Sequence, residues 1–131
     1  MSTTDLTKKI GGRERRLIIQ NVESQETPTK DGELAPKVTL TCRSKEGQEF
    51  TIDEALLLDP KDGNIKSKGL WISEDTEGRI RANSTIAKML HHYKIETIAE
   101  MQSLEIIALP KRNNYLAIVI DPNITDDALP W

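Results

Sequence analysis

The stretch "KVTLTCRSKEGQEFTI" (Lys37–Ile52) decides how this chain is read. Val38, Leu40 and Cys42 alternate with Lys37, Thr39, Thr41, Arg43 and, two residues on, Lys45. That period of two marks a half-buried strand, because successive side chains point to opposite faces. Phe50 and Ile52 resume the alternation after Lys45-Glu46-Gly47-Gln48, a run of turn formers, so the stretch predicts a hairpin. One face is apolar and reads as core, with Cys42 as a core thiol and Phe50 beside Ile52. The other face is basic and hydroxylic and carries no acid.

Working outward, the same reading yields a strand over 15–23 and an exposed loop over 24–36, where Pro28, Gly32 and Pro36 cluster with polar residues. Residues 53–64 read as either a short helix or an irregular strand, and 68–75 as a further strand. The one good helical stretch is 83–102. Ile86, Met89, Leu90 and Tyr93 recur at helical spacing, Asn83 or Ser84 stands ready to cap, and a second short turn follows Ile95. Residues 104–110 and 115–121 form a closing hairpin. Strands dominate and one helix interrupts them. The expected fold is therefore mainly β, a small OB-like Greek-key barrel with one helical insertion before the last two strands. The expected organisation is a flexible basic arm over 1–12, one domain over 13–121 and an acidic tail over 122–131.

The chain has 131 residues, 37% of them apolar, which suits one modest core. A single cysteine excludes an internal disulfide and, without partners, a zinc site. No run is long and apolar enough for a membrane span, and the first residues lack a hydrophobic signal core, so a cytoplasmic location is expected. The net charge is −3, but its distribution is uneven. Residues 1–20 and 61–99 are net basic, whereas 21–60 and 100–131 are net acidic.

No catalytic signature is present: no glycine-rich phosphate loop, no G-x-S-x-G and no H-E-x-x-H. Adjacent His91 and His92 diverge by about 100° on a helix and read as solvent-facing. Asp53, Glu54, Asp59 and Asp62 match no calcium loop and read as solvated charge. The expectation is a non-enzymatic protein with no cofactor and no metal.

Binding residues follow from strand parity. The outward row Lys37, Arg43 and Lys45 is placed to track phosphates. Leu70 and Ile72 share a face, so Trp71 lies opposite, near Lys66 and Lys68, where an indole can stack a base; the other reading packs it under the helix or the 53–64 segment. Arg79 and Arg81 extend the basic band. The loop Lys111-Arg112-Asn113-Asn114 with Tyr115 can clamp a sugar-phosphate backbone or stand as an ordinary solvated loop. The arm "KKIGGRERR" has the same two readings. The scarcity of aromatics means that affinity would lean on phosphate contacts and salt.

The chain closes with "DDALPW" (Asp126–Trp131). A basic, aromatic-bearing strand domain followed by a short acidic tail ending in Pro-aromatic resembles the single-stranded DNA-binding proteins of OB-fold type, in a divergent, archaeal or viral version. The resemblance implies binding of single-stranded nucleic acid, DNA in preference, in replication and repair. It also implies that Asp126, Asp127, Leu129, Pro130 and Trp131 recruit a partner protein, the aromatic entering a pocket with a basic rim. The tail departs from the family's pattern: Ala128 interrupts the acids, tryptophan replaces phenylalanine, and almost no linker precedes it. So short a linker also allows Trp131 to fold back onto its own domain. The rival reading is a protein-interaction adapter or inhibitor of a virus or mobile element, with no nucleic-acid binding.

Overall fold

A computed structural model of the chain describes residues 12–113 and 115–131. The arm expected over 1–12 lies outside the described residues except for Gly12, and so does Asn114 of the basic loop. Seven strands and one α-helix follow in the order β1 (Arg15–Pro28), β2 (Leu34–Arg43), β3 (Glu49–Ile52), β4 (Glu54–Leu58), β5 (Ile65–Gly69), α1 (Thr85–His92), β6 (Glu105–Pro110) and β7 (Leu116–Val119). The fold is mainly β, with one helix before the last two strands, as expected.

The strands form one sheet in the order β3-β2-β1-β6-β7-β4-β5. Neighbours are antiparallel except β4 and β7, which run parallel. The sheet curls. The chain leaving β5 at one end bonds back to β2 near the other: Val38 N–H donates to Leu70 C=O at 2.8 Å, and Ile72 N–H to Pro36 C=O at 2.9 Å. The shape is barrel-like, but no continuous ladder closes it.

Parity divides the sheet into two apolar faces. Leu17, Ile19, Leu40, Cys42, Ala55, Ala108 and Ile118 meet Ile86, Met89 and Leu90 of α1 in the main core. Each fully buried Leu, Ile or Met among them contributes roughly 1.5–3 kcal/mol. The alternate residues Leu56, Leu109, Ala117 and Val119 form a second cluster on the opposite face, with Ile124. A bulge at Gln20 shifts the β1–β2 register by one residue, so Ile19 and Val22 both face the main core.

α1 begins where Ser84 Oγ accepts from Ala87 N–H at 3.1 Å. It ends in a Schellman arrangement. Lys94 turns left-handed (φ 57°), its N–H donates to His91 C=O, and Ile95 N–H donates to Leu90 C=O at 3.0 Å. Ile95 then packs on the core beside Leu90, so the helix stops well short of 102. A short 3-10 turn, Ile98–Met101, follows.

Two readings need correction. Residues 24–36 are mostly not loop: β1 and β2 extend through them as a two-stranded ribbon, and only Thr29–Glu33 turns, with Gly32 at φ 83°. β6 pairs with β1 only as far as Ile18, and beyond the Val22 and Val38 positions that still face the core both faces of the ribbon meet solvent, so no apolar period marks its outer part. The strand expected over 68–75 ends at Gly69, and only isolated bridges continue it, at Trp71 and Glu74.

Candidate functional site

Strand parity on β2 holds. Val38, Leu40 and Cys42 are fully buried, and Lys37, Thr39, Thr41 and Arg43 face outward. Burial pushes the Cys42 thiol up to about 12.

The site begins at the β4–β5 hairpin. Its turn is closed by Asp59 N–H donating to Asn64 C=O at 2.9 Å, and Gly63 supplies the left-handed residue at φ 70°. Lys66 Nζ donates to Asp59 Oδ2 at 2.7 Å and Asp62 Oδ2 at 3.1 Å. These two bonds hold the ammonium above its ordinary range. The loop acids are therefore not simply solvated charge; they fix Lys66 in place.

Beside this hairpin stands the β6–β7 turn, where Lys111 N–H donates to Tyr115 C=O at 2.7 Å. Lys111 Nζ donates to Glu54 Oε2, and Ser67 Oγ donates to Glu54 Oε1 at 2.9 Å. Desolvation pushes the Glu54 carboxyl up. The hydrogen bonds from Lys111 and Ser67, with the Lys111 and Lys37 charges, outweigh it and hold the group below its ordinary value.

The 122–131 segment supplies the third wall. Ile124 is buried, Asp126–Ala128 form a 3-10 turn, and Leu129 and Trp131 pack on the second apolar cluster. Trp131 Nε1 donates to Pro110 C=O at 2.7 Å, and the Arg112 guanidinium lies 5.1 Å from its ring centroid. Asp126 binds Arg13, and Asp127 is exposed. The acidic tail thus lies against its own sheet. Its apolar residues cover a face that α1, on the other side, leaves bare.

These three elements enclose a cleft of about 850 Å³. Lys66, Lys68, Lys111 and Arg112 line it with Ser67, Asn64, Asn113, Asn123 and Trp131; Glu54 is the single acidic side chain in its walls among the described residues. Two sets of residues expected to work separately, the phosphate-binding cations and the Pro130-Trp131 tip, share one cavity.

Other expected residues lie elsewhere. Trp71 is half-buried on the outward side, not under the helix. Lys37 Nζ sits 4.8 Å from its ring centroid and 3.4 Å from Asp53 Oδ2. Gly69 passes so close to the indole that a Cβ there would lie 2.9 Å from Trp71 Cδ1. Gly69 pairs with Glu54, so this stack adjoins one end of the cleft. Arg43 pairs with Glu49 at 3.5 Å and, with Lys45 and Arg16, lines a second cleft of about 220 Å³. Arg79 is held by Asp75 and Glu77 on the 75–79 turn, Arg81 is exposed beyond it, and Tyr115 is exposed at the β7 entry; none of the three lines either cleft. The basic band read from sequence is therefore several separate groups, most of them paired with acids.

Glu54, Ser67, Asn64 and Asn123 were not legible as site residues. The signal that could have found Glu54 was its parity with Leu56 and Leu58, hidden while 53–64 stayed ambiguous between helix and strand. Among the described residues no three His, Cys, Asp or Glu side chains gather to hold a metal ion. No helix among them is long and apolar enough to cross a membrane. No protein-family model, curated protein or solved structure matches the chain.

Proposed function

We propose that this chain is a non-enzymatic binder of single-stranded DNA, and that the strand lies in the cleft between the β4–β5 hairpin, the β6–β7 turn and the 122–131 segment. The observation that carries this reading is that Lys68 and Arg112 stand in the cleft unpaired among the described residues, beside two lysines already matched by acids and an indole in the wall. Lys68 and Arg112 have no carboxylate within 4.0 Å among the described residues, so both are available to phosphates. Lys66 and Lys111 are already neutralised and contribute position more than charge. A base that displaces Arg112 from the Trp131 ring gains a stack of about 1–3 kcal/mol, with Arg112 turning to a phosphate. Trp71 under Lys37 extends the track past Glu54. Recruitment of a replication or repair partner through Pro130 and Trp131 then requires the segment to lift from the sheet.

Fluorescence anisotropy with labelled oligo-dT at two salt concentrations tests the reading. The expected dissociation constant is below about 100 μM at low salt and rises steeply as salt is added, by a log–log slope of about 0.7 per phosphate contacted. Lys68→Glu and Arg112→Glu each weaken binding. Absence of binding at low salt, or affinity indifferent to both substitutions, overturns it.

A further inference from the structure

β5 ends the sheet, and the ladder register states which of its backbone groups are spare. Leu70 N–H donates to Asp53 C=O, and Asp59 N–H donates to Asn64 C=O, each at 2.9 Å. Hydrogen-bonded and non-hydrogen-bonded pairs alternate along an antiparallel ladder. Between those two ends, Lys68 and Lys66 therefore bond to β4 through Ala55 and Leu57. The N–H and C=O groups of Ile65 and Ser67 point the other way, where no strand follows among the described residues. They meet no other backbone partner among the described residues.

The 850 Å³ cleft runs along this edge. Consecutive residues from Gly63 to Lys68 line it, both parities included, so the cavity wraps the strand's border and not just one face. We infer that the free edge of β5 docks an extended acidic segment of a partner protein, which adds to the sheet as a further strand through Ile65 and Ser67. This goes beyond nucleic-acid binding; the segment takes the same cleft, Lys68 and Arg112 as the proposed DNA strand, so the two ligands exclude each other there.

Three observations select that occupant. A peptide strand presents a donor and an acceptor at every second residue, the spacing at which Ile65 and Ser67 offer theirs. A phosphodiester backbone has no N–H for their carbonyls. Lys66 and Lys111 are matched by Asp59, Asp62 and Glu54, and the positive charge left at the edge is that of Lys68 and Arg112, which have no acid partner among the described residues. A second copy of this chain is disfavoured, because β5 against β5 would bring Lys66 and Lys68 onto their own counterparts. Leu58, Ile65 and Trp131 give one apolar side chain of the incoming strand a place between its acids.

The test uses the full chain labelled with ¹⁵N and the peptide Asp-Val-Asp-Val-Asp. Two controls accompany it: the same peptide N-methylated at its central residues, and Lys-Val-Lys-Val-Lys. Only the unmethylated acidic peptide should slow amide exchange at Ile65 and Ser67, by about tenfold or more near saturation. Lys68→Glu, an exposed position, should weaken it by about tenfold. Three results overturn the inference: no slowing at Ile65 and Ser67 up to about 1 mM peptide, equal binding of the methylated peptide, or oligo-dT slowing these two amides as much as the peptide does. Failure of the DNA reading shows independently, in anisotropy with oligo-dT alone.

Discussion

Asp126 accepts twice from Arg13, the backbone N–H to Oδ2 at 2.9 Å and Nε to Oδ1 at 2.7 Å. The pair ties the 122–131 segment to the residues that lead into β1. It also keeps Trp131 seated at the cleft, because Trp131 follows Asp126 by a single 3-10 turn and an extended step. Arg13, first through its backbone N–H and then through its side chain, holds the Asp126 carboxyl below its ordinary value of 3.8. A depressed carboxylate stabilises at pH above its ordinary value, and that contribution is lost as pH falls through the lowered one. In a Trp71→Phe background, Trp131 emission should shift to the red on acidification through that range. Asp126→Ala should produce the shift already at neutral pH. Unchanged emission in both cases would show that the apolar contacts alone hold the segment.

Lys111 and Glu54 are a half-buried pair at the cleft wall, with Ser67 as third member. Lys111→Ala leaves a desolvated carboxylate with a single hydroxyl donor. Urea denaturation at neutral pH should show a loss of about 1–3 kcal/mol. The double variant Lys111→Ala/Glu54→Gln should recover part of it, since no unpaired charge remains. The pH dependence should also weaken. In the native chain the Glu54 carboxyl lies below its ordinary value of 4.5, so its contribution fades as pH falls. Without Lys111, only the Ser67 hydrogen bond and the Lys37 charge oppose desolvation, so the carboxyl moves up and less stability is lost as pH falls.

Gly69 is where the Trp71 indole and the Lys37 stem press on the backbone. A Cβ there would lie 2.9 Å from Trp71 Cδ1 and 3.0 Å from Lys37 Cε. Gly69→Ala should displace the ring, cost about 1–3 kcal/mol and alter Trp71 fluorescence in a Trp131→Phe background. A neutral effect on both readouts would mean that the stack is loose.

Cys42 is fully buried between Leu40 and the helix-facing core, and its thiol is pushed up to about 12 by burial. The thiolate is the reactive form, so alkylation near neutral pH should be negligible in the folded chain and rapid in urea. The alkylation rate then reports global opening. A fast native-state reaction would contradict the core.

Much of the fold was readable along the chain. The period of two in Val38, Leu40 and Cys42 placed β2 and its buried face, and Gly47 marked the turn that follows. The Asn83-Ser84 pair and the Ile86, Met89, Leu90 spacing placed the start of α1, and the structure selects Ser84 as the cap. These signals are local, since each depends on residues within one turn or one strand. The ribbon over 24–36 was not readable, because a two-stranded arm with solvent on both sides needs no apolar alternation. The end of α1 rests on Lys94 adopting a left-handed conformation that lysine does not advertise, rewarded by Ile95 returning to the core.

The candidate site divides in the same way. Its chemistry was visible in composition: Lys66, Lys68, Lys111, Arg112 and a Pro-Trp tip stand out wherever they lie. Their meeting was decided by the tertiary structure alone. Glu54, Ser67 and Lys111 converge because β4 pairs antiparallel with β5 and parallel with β7, a register no neighbouring residue encodes. Trp131 turns back because α1 covers one face of the sheet and leaves Leu56, Leu109 and Val119 to be covered on the other. The sequence by itself determined a mainly β chain with these charges and this one helix. The sheet's pairing order determined which charges share a cleft, because contacts between distant residues follow from strand order and from which apolar face remains open.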